Sequence, residues 1–183
     1  GTLTISGTGD MNDYSSTSET PWYSLNLSVT KVVIEDGVTK IGDYSFSGFS
    51  NLLNISLPES IDEMGRYAFQ SCASLKNIEI PKSVKYLSNG IFNGCQSLTR
   101  IEIPTSVTNI GNYAFYWCSG LTSIEIPTSV TSIGESAFNH CIGLTSIEIP
   151  ESVITIGEYA FNNCRSLESI TFKDTSNWFY TED

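Results

Sequence analysis

One 23-residue phrase, L-x-x-I-x-I-P-x-S-V-x-x-I-G-x-x-A-F-x-x-C-x-x, recurs along nearly the whole chain. It opens at Leu52, Leu75, Leu98, Leu121 and Leu144, with a diverged first copy at Val29 and a broken-off seventh at Leu167. A fixed period of this length means stacked units, none of which buries its apolar side alone, so the chain reads as a solenoid. Three parts follow: a capping strand and loop over 1–28, six repeats over 29–166, and a partial seventh repeat or C-terminal cap over 167–183.

Within one copy, apolar residues at positions 1, 4 and 6 (Leu121, Ile124, Ile126) have strand spacing, and the strand ends at a proline. Pro58, Pro81, Pro104, Pro127 and Pro150 all hold position 7, where a residue without an N–H is tolerated. Positions 10 and 13 (Val130, Ile133) predict a second short extended segment that bends at Gly134. Gly42, Gly65, Gly111 and Gly157 repeat that bend, whereas the third copy has Ser88. Ala137–Phe138 with Cys141 three residues on suits a single helical or 3₁₀ turn. The expected fold is therefore an α/β solenoid with a parallel sheet on one face, second extended segments and short helical turns.

Stacking turns like positions into columns. Phe46, Phe69, Phe92, Phe115, Phe138 and Phe161 form a spine, and Ile41, Met64, Leu87, Ile110, Ile133 and Ile156 form a second core column. Terminal coils expose their cores unless capped, so Phe46 should matter less than Phe115 if the ends fray. Pro21–Trp22–Tyr23 offers cover at one end and Asn177–Trp178–Phe179–Tyr180 at the other. All five cysteines, Cys72, Cys95, Cys118, Cys141 and Cys164, fall on position 21. One thiol per coil makes a line rather than a tetrahedral cluster, so these read as buried core thiols and not as zinc ligands.

The formal net charge of −11 argues against nucleic acid, which is held by Lys and Arg on phosphates, and against docking on anionic lipid. No apolar run approaches bilayer-spanning length, so no membrane insertion is expected. The start at Gly1, without a signal-peptide pattern, reads as trimmed and leaves the compartment open.

The Ile-Pro-x-Ser-Val-x-x-Ile-Gly-x-x-Ala-Phe-x-x-Cys wording, intact at Ile103–Cys118 and Ile126–Cys141, closely resembles the BspA-like leucine-rich repeat family from Val29 through Phe172. The resemblance implies a right-handed leucine-rich-repeat superhelix in a secreted or surface-attached protein of a host-associated bacterium. It further implies adhesion to host matrix proteins, other bacteria or epithelial cells, and it carries over no catalytic residues and no cofactor.

Two surfaces are candidates for binding. Position 5, between the inward apolar residues of the strand, reads Val33, Ser56, Glu79, Glu102, Glu125, Glu148 and Thr171. Those four glutamates, with Asn77 and Arg100 at position 3, form a candidate protein-binding face; the competing readings are a solvated face that discourages edge pairing and a calcium site. Position 16 supplies Tyr67, Tyr113 and Tyr159, and with Tyr116 and Trp117 these make a candidate aromatic patch for glycan or protein, unless the rings lie flat over the neighbouring coil. A spacer without a ligand is the remaining alternative. The only histidine, His140, adjoins Cys141, but sequence neighbours rarely converge and no nucleophile or phosphate motif is present, so no enzyme is expected.

Overall fold

The computed structural model of the protein describes residues 1–173. The aromatic run Asn177–Trp178–Phe179–Tyr180, a candidate cap from its sequence, lies outside the described residues. Each copy makes one coil, and equivalent positions of successive coils lie side by side. Positions 3–6 form one parallel ladder: Thr2–Ile5 pairs with Lys31–Ile34, which pairs with Asn54–Ser56, and at the far end Ser146–Ile149 pairs with Ser169–Phe172. Positions 12–13 form a second: Gly9–Asp10, Val38–Ile41 and Glu63–Met64, then Tyr86–Leu87, Asn109–Ile110, Ser132–Ile133 and Thr155–Ile156. The protein is a parallel-strand β-solenoid.

The first ladder is broken in its middle, and position 7 explains where. In a parallel pair the amide of position 7 can donate to the carbonyl of position 6 in the coil before. Glu35 does so to Ile5 at 2.9 Å and Lys173 to Ile149 at 3.0 Å, and both junctions carry four paired residues. Where proline stands instead, that donor is gone. The Pro58 junction is shortened to three pairs, and none forms at Pro81, Pro104, Pro127 or Pro150. Inward–outward alternation survives there: Ile78, Ile80, Ile101, Ile103, Ile124 and Ile126 are buried while Asn77, Glu79, Arg100, Glu102, Ser123 and Glu125 are exposed.

The helical half of the α/β reading is not found. Among the described residues the helical pieces are two 3₁₀ helices, Thr17–Glu19 and Tyr23–Leu25, both before the first repeat. The Ala-Phe-x-x-Cys segment makes turns whose amides serve two directions alternately. In one coil Gln70 donates to Tyr67 and Cys72 to Phe69, three residues back, at 3.1 and 3.2 Å. Tyr67, Phe69 and Ser71, between them, donate across to Asn89, Ile91 and Asn93 of the next coil at 3.0, 3.0 and 2.7 Å. A helix would spend every amide within its own segment; here every second one fastens neighbouring coils. The bends this requires put positions 16 and 20 at positive φ, among them Tyr67 (53°), Tyr113 (59°), Trp117 (58°) and His140 (62°).

The phenylalanine spine runs through the core, with successive rings stacked at 5.7, 5.9, 5.6, 5.2 and 5.5 Å from Phe46 to Phe161. Trp22 extends it, stacked on Phe46 at 5.8 Å with its indole N–H donated to the Ser45 carbonyl at 2.7 Å. Phe46 is thus fully buried beneath Trp22, whereas Pro21 and Tyr23 stay exposed.

One junction departs from the rest. At four others the position-14 glycine amide donates to the position-13 carbonyl of the coil before, as Gly65 does to Ile41 and Gly111 to Leu87, both at 2.8 Å. That approach excludes a side chain: a Cβ on Gly111 would lie 2.7 Å from the Leu87 carbonyl oxygen. Ser88 has a Cβ, so its amide does not reach Met64, and its hydroxyl bridges the gap instead at 2.6 Å. The neighbouring position-11 bond, formed by Asp62 to Thr39 and by Thr108 to Lys85 at 2.9 Å each, is likewise missing at Lys85. Ser88, where the third copy departs from the glycine of the others, therefore marks a local parting of two coils.

Candidate functional site

The strand face and the turn face hold different chemistry. On the first, Glu79, Glu102, Glu125 and Glu148 are all exposed, held outward because the residues on either side are buried isoleucines. Lys173 pairs with Glu148 at 2.9 Å. Glu79, Glu102 and Glu125 make no ion pair among the described residues, and neither does Arg100, although Arg100 and Asn77 are exposed on the same face. The three unpaired carboxylates occupy the stretch where proline has removed the ladder. Stacked in a line, they do not converge as a cation cage would require.

On the turn face the sequence-predicted aromatics do not form one stripe. Tyr67 stacks on Tyr44 at 5.1 Å and lies over Gly90, which has no Cβ to obstruct it. Tyr113 contacts Tyr116 at 5.8 Å and donates its hydroxyl to Glu135; that hydrogen bond raises the phenol pKa. Tyr159 projects into solvent, 61% exposed. The tight group is elsewhere: Trp117 stacks on His140 at 4.6 Å with planes 8° apart, and Tyr116 packs edge-on against both at 6.5 and 5.8 Å.

His140 is the residue that sequence reasoning left out of the aromatic patch. As expected of sequence neighbours, it does not converge with Cys141: that thiol is buried and donates to the Phe115 carbonyl at 3.1 Å, while the imidazole faces Trp117 and takes a 2.7 Å contact from Nδ1 to Asn139 Oδ1. The signal was available in the repeat: Trp117 and His140 both occupy position 20, one period apart, so stacking of coils stacks their rings. Holding a tryptophan at positive φ costs of order 1 kcal/mol, a strain that Trp117 and His140 share with Tyr67, Tyr113 and the other non-glycine residues at positions 16 and 20.

The thiols themselves act as fasteners. Each donates to the carbonyl of the phenylalanine 26 residues earlier: Cys72 to Phe46, Cys95 to Phe69, Cys118 to Phe92 and Cys164 to Phe138, at 3.1–3.2 Å. Burial pushes their pKa up, in Cys95 to about 12. That is the opposite of an activated nucleophile.

The repeats match the family profile described as the BspA type leucine rich repeat region, in six copies over residues 21–119 and 108–182. Among solved structures, a leucine rich repeat protein of T. pallidum is 26% identical with a TM-score of 0.80, over 91% of this chain and 77% of that one. A leucine rich cell surface protein of Faecalibacterium prausnitzii A2-165 is 30% identical with a TM-score of 0.82, over 96% of this chain and 48% of that one, so the present chain spans about half of it. The pneumococcal vaccine antigen PcpA, 18% identical with a TM-score of 0.57 over 81% of this chain and 52% of that one, shares the fold. No curated protein sequence matches the chain.

Proposed function

Because the chain belongs to the BspA-type leucine-rich repeat family, we propose that it is a non-catalytic binding module of the bacterial surface that docks a basic patch of a host or bacterial surface protein on its strand face. The observation that carries this reading is the row of exposed carboxylates Glu79, Glu102 and Glu125, each without an ion-pair partner among the described residues and all displayed in one direction by buried isoleucines. Repeat proteins bind through extended surfaces of this kind, and a partner presenting Lys or Arg gains both steering and register from such a row. No helix among the described residues is long and apolar enough to cross a membrane. Of the solved relatives, the Faecalibacterium protein is named as a cell surface protein, which supports the surface location.

The reading is tested by screening matrix and cell-surface proteins against the chain and against a variant with Glu79, Glu102, Glu125 and Glu148 all replaced by Gln. Weakened binding in the variant, with association that slows as salt rises, supports it. Unaltered binding in the variant, with loss on Trp117→Ala, supports a second reading in which glycan or protein stacks on Tyr116, Trp117 and His140; the exposed, strained Trp117 favours that alternative. Absence of any partner leaves the spacer role.

A further inference from the structure

We propose that the parting of the coils at Ser88 forms a second binding site, for a carboxylate-bearing sugar such as a uronic acid at the end of a glycan. The groove there has a volume of about 540 Å³, within the range of small-ligand sites, and its walls include Asp62, Arg66, Lys85, Tyr86 and Asn89. It exists because several inter-coil fastenings fail together. Ser88 replaces the glycine whose amide would close the coils, and the Lys85 amide loses its partner in the same step. Position 15 contributes a third change. Asp43, Asn89 and Asn112 use their side-chain oxygens there to accept the amide of the next coil, at 2.6, 3.0 and 2.9 Å. Arg66 stands at that position in the coil before Ser88; it has no acceptor to offer, and it lines the groove instead.

The chemistry of the lining selects the ligand. Glu63, also on the wall, is engaged by Lys40 at 2.9 Å. Lys40 also holds Asp13 at 3.1 Å, so the charges on the wall, Asp62 and Glu63 against Arg66 and Lys85, balance, but neither of the wall's cations makes an ion pair among the described residues. In a chain with nine Lys and Arg against a net charge of −11, a groove of balanced charge that holds two cations free of ion pairs departs from the acidic balance of the whole. Tyr86, 59% exposed, is the aromatic in the lining and offers a flat ring for the C–H face of a sugar. The Asn89 oxygen is committed to Asn112, which leaves its Nδ2 to donate, and Asp62 accepts. One anionic group, hydroxyls that both donate and accept, and an apolar face are together the description of a sugar acid.

The test is an NMR titration of the full chain with methyl β-glucuronide and, separately, methyl β-glucoside. Binding of the glucuronide with amide shifts at Arg66, Tyr86 and Asn89, and much weaker binding of the glucoside, is expected. Arg66→Gln or Lys85→Gln should each weaken the glucuronide about tenfold, as loss of a charge-assisted hydrogen bond does. Ser88→Gly restores the repeat's own residue, folds with the Lys85 amide newly protected from exchange, and should abolish binding. Equal binding of the two glycosides, shifts that persist in Ser88→Gly, or no shifts in the groove would each overturn the proposal. The four-glutamine variant of the strand face should leave this titration unchanged, so failure of one site is distinguishable from failure of the other.

Discussion

The thiol of Cys118 donates to the carbonyl oxygen of Phe92 in the coil before it at 3.1 Å, and the same contact recurs at every cysteine of the chain. Loss of the thiol in Cys118→Ala removes both a buried contact and an inter-coil bond, so a destabilisation of about 1–2 kcal/mol is expected by denaturant titration. Native thiol labelling should be slow at four sites and fastest at Cys164, which is half-buried.

The same burial gives a pH dependence. An unfolded thiol ionises near 9.0, whereas folded Cys95 is pushed up to about 12. Below pH 9 both states keep their protons and stability is flat in this respect. Above it the unfolded state releases protons that the folded state retains, so stability falls as pH rises through 9 toward 12. Unfolding midpoints measured across that range should drop, and replacing the five cysteines by alanine should flatten the slope even though it lowers the starting stability.

Phe115→Ala should cost about 3–5 kcal/mol, as removal of a buried ring from a close-packed stack does. Phe46→Ala should cost a similar amount, because Trp22 covers it, while Phe161→Ala, half-buried at the last described coil, should cost less. Urea unfolding of the three variants orders them.

Gly90 meets two demands at once: its φ is +63°, and the Tyr67 ring occupies the space a Cβ would take. Gly90→Ala should therefore destabilise by about 1–3 kcal/mol. Tyr67→Ala on that background should recover part of the loss in a double-mutant cycle.

Trp117→Asn tests whether the aromatic is held against local preference. Asn163 already occupies the equivalent position at φ 57°, and Asn tolerates that backbone better than Trp. Thermal unfolding should show the variant unchanged or more stable by up to about 1 kcal/mol; a clear loss would mean that the stack with His140 outweighs the strain.

Glu102 stands between Glu79 and Glu125 on the strand face. At about 5 Å in water, like charges repel by roughly 0.8 kcal/mol per pair before screening. Glu102→Gln should thus raise stability slightly at low salt, with the difference vanishing near 1 M salt, where screening is nearly complete. A chemical-denaturation series in salt measures this.

The repeat period by itself determined the solenoid, the columns of Phe, Cys and Leu and the outward row of glutamates, because a 23-residue recurrence leaves equivalent residues no place but side by side. The tertiary structure decided what depends on spacing between coils. Proline at position 7 was legible as a strand end, but only the stacked coils show that its missing amide breaks the ladder under Glu79, Glu102 and Glu125. The Ala-Phe-Cys segment looked helical in one copy because its alternate amides bond across to the next, a partner invisible within a single repeat. His140 met Trp117, rather than its sequence neighbour Cys141, through the same lateral register. At Ser88 the amide bond between coils gives way to a hydroxyl bond because the glycines at its position elsewhere hold the coils at a distance that admits no side chain.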